Sequence, residues 1–409
     1  MFNIIAILIT LSALFGYINH RYIKLPTTIG LMLISILMSL GMVILGHLGN
    51  IGFGIEKKWI EIVLTIDFNK ALMVGMLSFL LFAGALHVDL NELRNQKWEV
   101  FAFATLGVIF STVLVAGMTY LLSGYLGLGL KFIYCLLFGA LISPTDPISV
   151  LWMLKKTGAP KSLEALIAGE SLFNDGIGVV VFITIWEVAF GMRDISFGSI
   201  SLLFAEQVVG GVLIGLVAGW VAYELLKSID NYQVEILITL SLVMGAYSLA
   251  SEVGSSGPIA IVVAGLLIGN HGRQFAMSAK TRQNLDMFWE LIDEILNSLL
   301  FVLIGMELLI VQLSAKYILA GMVAILIVLL ARIISIGVPQ LIFSIRKKFD
   351  YASLKIMTWG GLRGGIAVAL ALSLPAGAEK DIIMTMTYIA VVFSILVQGL
   401  TVKYLVRAL

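Results

Sequence analysis

Residues 138–154 read FGALISPTDPISVLWML, and residues 358–375 read TWGGLRGGIAVALALSLP. Each is an apolar run interrupted near its centre. In the first, Pro144 and Pro147 remove backbone donors and flank Thr145 and Asp146. In the second, two glycine pairs bracket Arg363. Neither stretch sustains an unbroken helix, so both predict discontinuous helices. At membrane depth, non-helical backbone is tolerated only where protein or a water-filled cavity satisfies it. The two breaks therefore mark an interior site.

The rest of the chain reads as membrane-embedded. Its 409 residues are 60% hydrophobic and 12% charged, and the mean hydropathy is +1.05, outside the soluble range. Apolar stretches of about 20 residues, enough to cross roughly 30 Å of hydrocarbon, recur with short polar connectors. Thirteen spans are predicted, at 3–20, 27–48, 66–88, 97–122, 131–154, 163–190, 199–226, 233–251, 257–270, 287–312, 317–343, 351–374 and 382–405. The fold class is an all-α polytopic membrane protein, one transmembrane domain over residues 1–409 with no soluble domain. The ninth span, with Pro258 near its start, is short, and residues 51–65, including Trp59, are expected to form an interfacial helix. The N-terminal segment lacks a basic region and a small-residue cleavage site, so it is read as a first span and not as a signal peptide. The single cysteine, Cys135, excludes disulfide stapling and cysteine metal sites. A net charge of +1 gives no attraction to nucleic acid.

Basic residues assign the orientation, because they accumulate on the cytoplasmic side. Loops after the odd-numbered spans, with the C-terminal segment, hold 17 of the 26 Lys and Arg, against 7 in the other loops. The N-terminus is accordingly placed outside and the C-terminus in the cytoplasm. The two remaining basic residues, Arg332 and Arg363, lie inside spans, where a central charge costs at least about 2.5 kcal/mol. Each needs a partner. The two broken spans are the fifth and the twelfth. That odd separation gives them opposite orientations, as in inverted-repeat secondary transporters whose site lies near the midplane. Spans 1–6 would mirror spans 8–13, with span 7 as the link.

Between the breaks lies GESLFNDGIGVVVF, residues 169–182. At about 100° per residue, Glu170, Ser171, Asn174 and Asp175 occupy a sector of roughly 140° on one helix. Interhelical hydrogen bonding accounts for Ser171 alone. Asp175, deep in the span, is read as functional, since intramembrane acids mark ion or proton pathways. Asp146 repeats the signal in a second span. Glu170 is read as the partner of a buried arginine, Arg332 first and Arg363 second. Glu187, Glu224 and Glu307 are expected to reach the interface from span ends, and His20, His47, His87 and His271 to be interfacial, with His87 beside Asp89 a candidate pH sensor.

TDP in a proline-broken span, ESLFND in the next, then FVLIGMEL, Arg332 and WGGLRGGIAVALAL, in that order, closely resemble the cation/proton antiporter-1 family. Within it, the resemblance is to the prokaryotic NhaP-type sodium/proton antiporters, which are related to the animal sodium/proton exchangers. The resemblance implies an inverted-repeat antiporter fold with core helices at 97–190 and 317–405 and dimerisation helices at 1–96 and 199–312, working as a homodimer in the cell (inner) membrane. It makes Asp175 the carboxylate that binds either cation or proton, with Asp146, Ser171 and the Thr145 carbonyl completing a Na+ site. Asn174, Glu170 with Arg332, and Arg363 would support that site, and Asn before Asp goes with electroneutral exchange. The chain has Phe82, Ala83, Gly84 and Ala85 where some relatives carry an acid, and it ends at Leu409, so no large regulatory tail is expected.

The implied function is exchange of Na+ (or Li+) for H+ by alternating access, serving pH homeostasis, with no cofactor and no enzymatic activity. A buried carboxylate lets protons and hard cations compete for the same oxygens. An empty charged site is costly to move through hydrocarbon, so exchange becomes obligatory. A K+/H+ antiporter and a sodium-coupled symporter of similar fold are the alternatives. A channel would require ligands around a symmetry axis. A hydrolase is disfavoured, since HExxH, GxSxG and P-loop motifs are absent.

Overall fold

The computed structural model describes residues 2–47, 68–147, 150–151, 153–154, 160–191, 196–312, 314–343 and 351–407. The expected interfacial helix at 51–65, with Trp59, lies outside the described residues. The elements used below are α1 (Phe2–Ile18), α2 (Thr27–His47), α3 (Leu77–Leu86), α4 (Lys97–Ala104), α5 (Leu106–Leu126), α6 (Phe132–Ile142), α7 (Lys161–Ala189), α8 (Phe197–Lys227), α9 (Tyr232–Glu252), α10 (Gly257–Leu267), α11 (Ala279–Met306), α12 (Ala315–Phe343), α13 (Tyr351–Trp359), α14 (Gly365–Ser373), α15 (Ala378–Phe393) and α16 (Gly399–Arg407).

Among the described residues, 8 helical segments are long and apolar enough to cross a membrane. The other five expected spans, 66–88, 131–154, 257–270, 287–312 and 351–374, fall on helices that are shorter, broken or more polar, so thirteen remains an expected count. The short ninth span begins as its Pro258 requires. The Ser256 hydroxyl accepts from the Ile259 amide at 3.4 Å, and Pro258 sits in the first turn of α10, where a missing donor is harmless.

Packing follows membrane rules. On α12, Leu319, Met322, Leu326, Leu330 and Ile333 are exposed, while Ala324, Val328, Ala331, Arg332 and Ser335 are buried. The exposed stripe matches lipid tails, and the other face carries small and polar residues inward. Helices α8 and α10 approach closely through small residues: a Cβ on Gly219 would lie 3.2 Å from the Ala264 Cα.

Both predicted breaks are present. Helix α6 stops at Ile142 and α13 at Trp359, and the intervening backbones meet as an isolated antiparallel bridge between Asp146 and Leu362. The Asp146 amide donates to the Leu362 carbonyl at 2.8 Å. Two interruptions that run antiparallel where they touch stand in the relation an inverted repeat demands.

The structure corrects one expectation. Glu307 does not snorkel to the interface: it is 2% exposed in a 3-10 turn, Glu307–Leu309, that ends α11. Its Oε1 has no hydrogen-bond partner among the described residues. Residue 307 continues the inward face of α11 that carries Leu300, and residues 300–309 are all buried, so closeness to the span end does not bring it to the surface. Glu224, His20, His87 and His271 are exposed.

Candidate functional site

The site is assembled where the two breaks cross beside α7. Helix α7 comes close because Gly178 has no side chain; a Cβ there would collide with the Pro144 ring. The proline-broken backbone thus lies against the polar stripe of α7.

Two arginines answer the backbone groups that the breaks release. Arg363 Nη1 donates to the carbonyls of Ser143 and Pro144, the latter at 3.0 Å. Arg332 donates to the Met357 carbonyl from Nε at 3.3 Å and from Nη2 at 3.2 Å. Each guanidinium therefore caps the C-terminal end of a half-helix, where orphan carbonyls and the helix dipole favour a cation. The Arg363 amide donates to the Ser394 hydroxyl at 2.9 Å, which fixes the second break to the segment after α15.

Arg332 also forms a two-pronged pair with Glu170, Nη1 to Oε1 at 2.8 Å and Nη2 to Oε2 at 2.9 Å. Glu170 is 2% and Arg332 6% exposed, so this is a fully buried pair. Asn174 extends it. Its Nδ2 donates to Glu170 Oε1 at 2.7 Å and to Thr145 Oγ1 at 2.8 Å, and its Oδ1 accepts from the Thr145 amide at 3.3 Å. Both amide hydrogens and the carbonyl oxygen of Asn174 are in use. Ser171 donates its hydroxyl hydrogen to the Thr145 carbonyl. That carbonyl was expected to be an open cation ligand; it keeps one lone pair, and Ser171 keeps two.

The acids at the centre are less enclosed than this network. Thr145, Ser171 and Asn174 are buried, whereas Asp146 and Asp175 are half-buried. Asp175 makes no hydrogen bond to a described residue, and Asp146 and Glu170 are the acids whose charges reach it. The Asp146 carboxylate rests on Gly364: a Cβ there would lie 2.9 Å from its Oδ2. The crossing thus brings together Thr145, Asp146, Glu170, Ser171, Asn174, Asp175, Arg332 and Arg363. Chemically, it offers two half-buried carboxylates and neighbouring hydroxyl and carbonyl oxygens, a donor set suited to a hard cation or a proton.

Sequence reading missed two contributors. The Met357 carbonyl and Ser394 have no local signal, because their value comes only from facing an arginine on another helix.

Two crossed, broken helices around buried charges, in an all-helical membrane chain, are the construction of a secondary transporter. The chain belongs to the sodium/hydrogen exchanger family: the family profile described as "Sodium/hydrogen exchanger, transmembrane" matches residues 9–408. It is similar to the Na(+)/H(+) antiporter NhaP of Pseudomonas aeruginosa, with 47% identity over 412 residues, 100% of this chain and 96% of that protein. The Na(+)/H(+) antiporter NhaH of Halobacillus dabanensis is 33% identical over 353 residues, 84% of each chain. The fold matches that of the sodium proton antiporter MjNhaP1 of Methanocaldococcus jannaschii, with a TM-score of 0.74 at 18% identity, over 98% of this chain and 96% of the other.

Proposed function

We propose that this chain is a secondary active transporter that exchanges Na+ or Li+ for H+ by alternating access, one cation per proton. The observation that carries the reading is the crossing itself: two half-buried acids from different helices, Asp146 and Asp175, lie beside a network in which Glu170, Asn174 and Arg332 are already engaged with one another. Asp175 takes either the cation or the proton; Asp146, Ser171 and the remaining Thr145 lone pair complete the cation shell. Glu170, Asn174 and Arg332 hold the first break against α7, and Arg363 holds the two breaks together. The full family match and the names of the relatives support the same substrates.

The wider arrangement belongs to the proposal too. Residues 97–190 and 317–405 move as a core against 1–96 and 199–312, which form a homodimer, in the inner membrane with the N-terminus outside. The test uses everted vesicles with a preformed pH gradient, challenged with sodium, lithium or potassium at several pH values. Sodium or lithium should collapse the gradient. Potassium alone doing so would replace the substrate, and sodium flux without proton counter-movement would replace the mechanism with a channel.

Two substitutions probe the scaffold. Gly364→Ala keeps an extended backbone that alanine adopts (φ −112, ψ −162), but its Cβ must displace the Asp146 carboxylate. Exchange should fall by about ten-fold or more, while the elution profile in detergent stays that of the wild type. Asn174→Asp removes both Nδ2 donors and sets a second carboxylate against Glu170. It should cost about 2 kcal/mol or more, read as a lower denaturation temperature in detergent; unchanged stability would mean that Asn174 does not hold the break.

A further inference from the structure

A π-helical turn, Ser394–Gln398, joins α15 to α16. Such turns inside α-helices recur at functional sites. Its two end residues are polar and buried, Ser394 at 1% and Gln398 at 3% exposed, and at four positions apart they share one face. That face is turned to the second break. Gln398 Nε2 donates to the Trp359 carbonyl, the last of α13, at 2.9 Å. The Ser394 hydroxyl accepts from the Arg363 amide at 2.9 Å. Trp359 adds a second bond to the same span, its indole Nε1 donating to Thr401 Oγ1 at 2.9 Å. The carbonyls that end a helix need donors from elsewhere. Arg332 serves that of Met357, and Gln398 serves that of Trp359.

Between these two anchors lies the residue that meets the first break. The Leu362 amide donates back to the Gly360 carbonyl at 2.8 Å, and the Leu362 carbonyl accepts from the Asp146 amide at 2.8 Å. The Asp146 carboxylate lies against Gly364, one residue past the second anchor. Backbone and side chain of Asp146 therefore both take their position from residues 362–364. The last span holds that segment from its two sides, at 359 and at 363.

We propose that Gln398 is a positioning residue for the cation site: with Ser394 it clamps the second break, and through Leu362 and Gly364 the clamp sets where the Asp146 carboxylate stands. The inference rests on the exchange reading above. A hard cation needs several oxygens at fixed distances, whereas a proton needs one. Loosening the clamp should therefore weaken the cation shell and leave the proton site on Asp175 as it was.

The test measures, in everted vesicles, the sodium concentration for half-maximal collapse of a preformed pH gradient. Gln398→Met keeps the length of the side chain and removes the donor. It should raise that concentration by about ten-fold, with the maximal rate within about two-fold of wild type and the pH dependence at saturating sodium unmoved. In an Asp146→Asn background the same substitution should add less than about two-fold, since no charge is left to position. Ser394→Ala removes the other anchor, should shift the concentration in the same direction, and serves if Gln398→Met does not accumulate. An unchanged half-maximal concentration overturns the proposal. So does a shift of equal size in the Asp146→Asn background, which would make Gln398 a general support of the fold. A maximal rate lost without a change in half-maximal concentration overturns it too, because the clamp would then serve the movement and not the ligand. A wild type that leaves the gradient intact would instead sink the exchange reading.

Discussion

Asp175→Asn should yield a protein that folds as well as the wild type and no longer collapses a pH gradient on addition of sodium or lithium. The two halves of that expectation come from the same geometry. Asparagine has nearly the shape of aspartate, and Asp175 makes no hydrogen bond to a described residue, so the substitution breaks no contact. It also removes a half-buried charge facing Asp146 and Glu170, and stability should hold or rise. Function fails because an amide neither gains a proton in the working pH range nor balances the charge of a cation. The decisive comparison is with Asp146→Asn. There the backbone bridge to Leu362 survives, since it uses the Asp146 amide, and cation affinity should fall while some exchange persists. Wild-type exchange in Asp175→Asn vesicles would remove Asp175 from the mechanism.

The second large effect concerns stability. Glu170→Ala and Arg332→Ala should each cost about 3–5 kcal/mol, because each leaves one buried charge without its partner. Yield of folded protein after detergent extraction and the denaturation temperature both report it. The exchange Glu170→Arg with Arg332→Glu should recover less than half of the loss. Glutamate at 332 cannot donate to the Met357 carbonyl, and arginine at 170 cannot accept from Asn174 Nδ2. If both single variants are stable and inactive, the pair belongs to the transport chemistry and not to the scaffold.

The fold was readable in the chain to the extent that its irregularities are covalent. Proline and paired glycine restrict or free the backbone wherever they occur, so the breaks at 144–147 and 360–365 were visible without any partner. The convergence of Glu170, Ser171, Asn174 and Asp175 on one stripe was visible because helical periodicity alone produces it. What each atom does there was not. The saturation of Asn174 depends on Thr145 lying across from it, and the engagement of the Thr145 carbonyl depends on the rotamer of Ser171. Glu307 was misread for a related reason: position near a span end says how far a side chain must reach, but not whether that end is itself buried by neighbouring helices. The arginine caps were half readable, since a charge inside a span demands a partner, while backbone carbonyls carry no residue type to search for.

Counting formal charge at the crossing gives the capping arginines a further meaning. Glu170 and Arg332 cancel. Arg363 brings one positive charge to the end of α6, and Asp146 with Asp175 formally brings two negative ones, so the protein groups of the crossing sum to one negative charge. One Na+, one Li+ or one H+ returns the sum to zero, and a divalent ion overshoots it. On the exchange proposed above, the arginine that secures the broken backbone would also set the valence of the cargo: without its charge the same two acids would be balanced by a divalent ion, or by two monovalent ones.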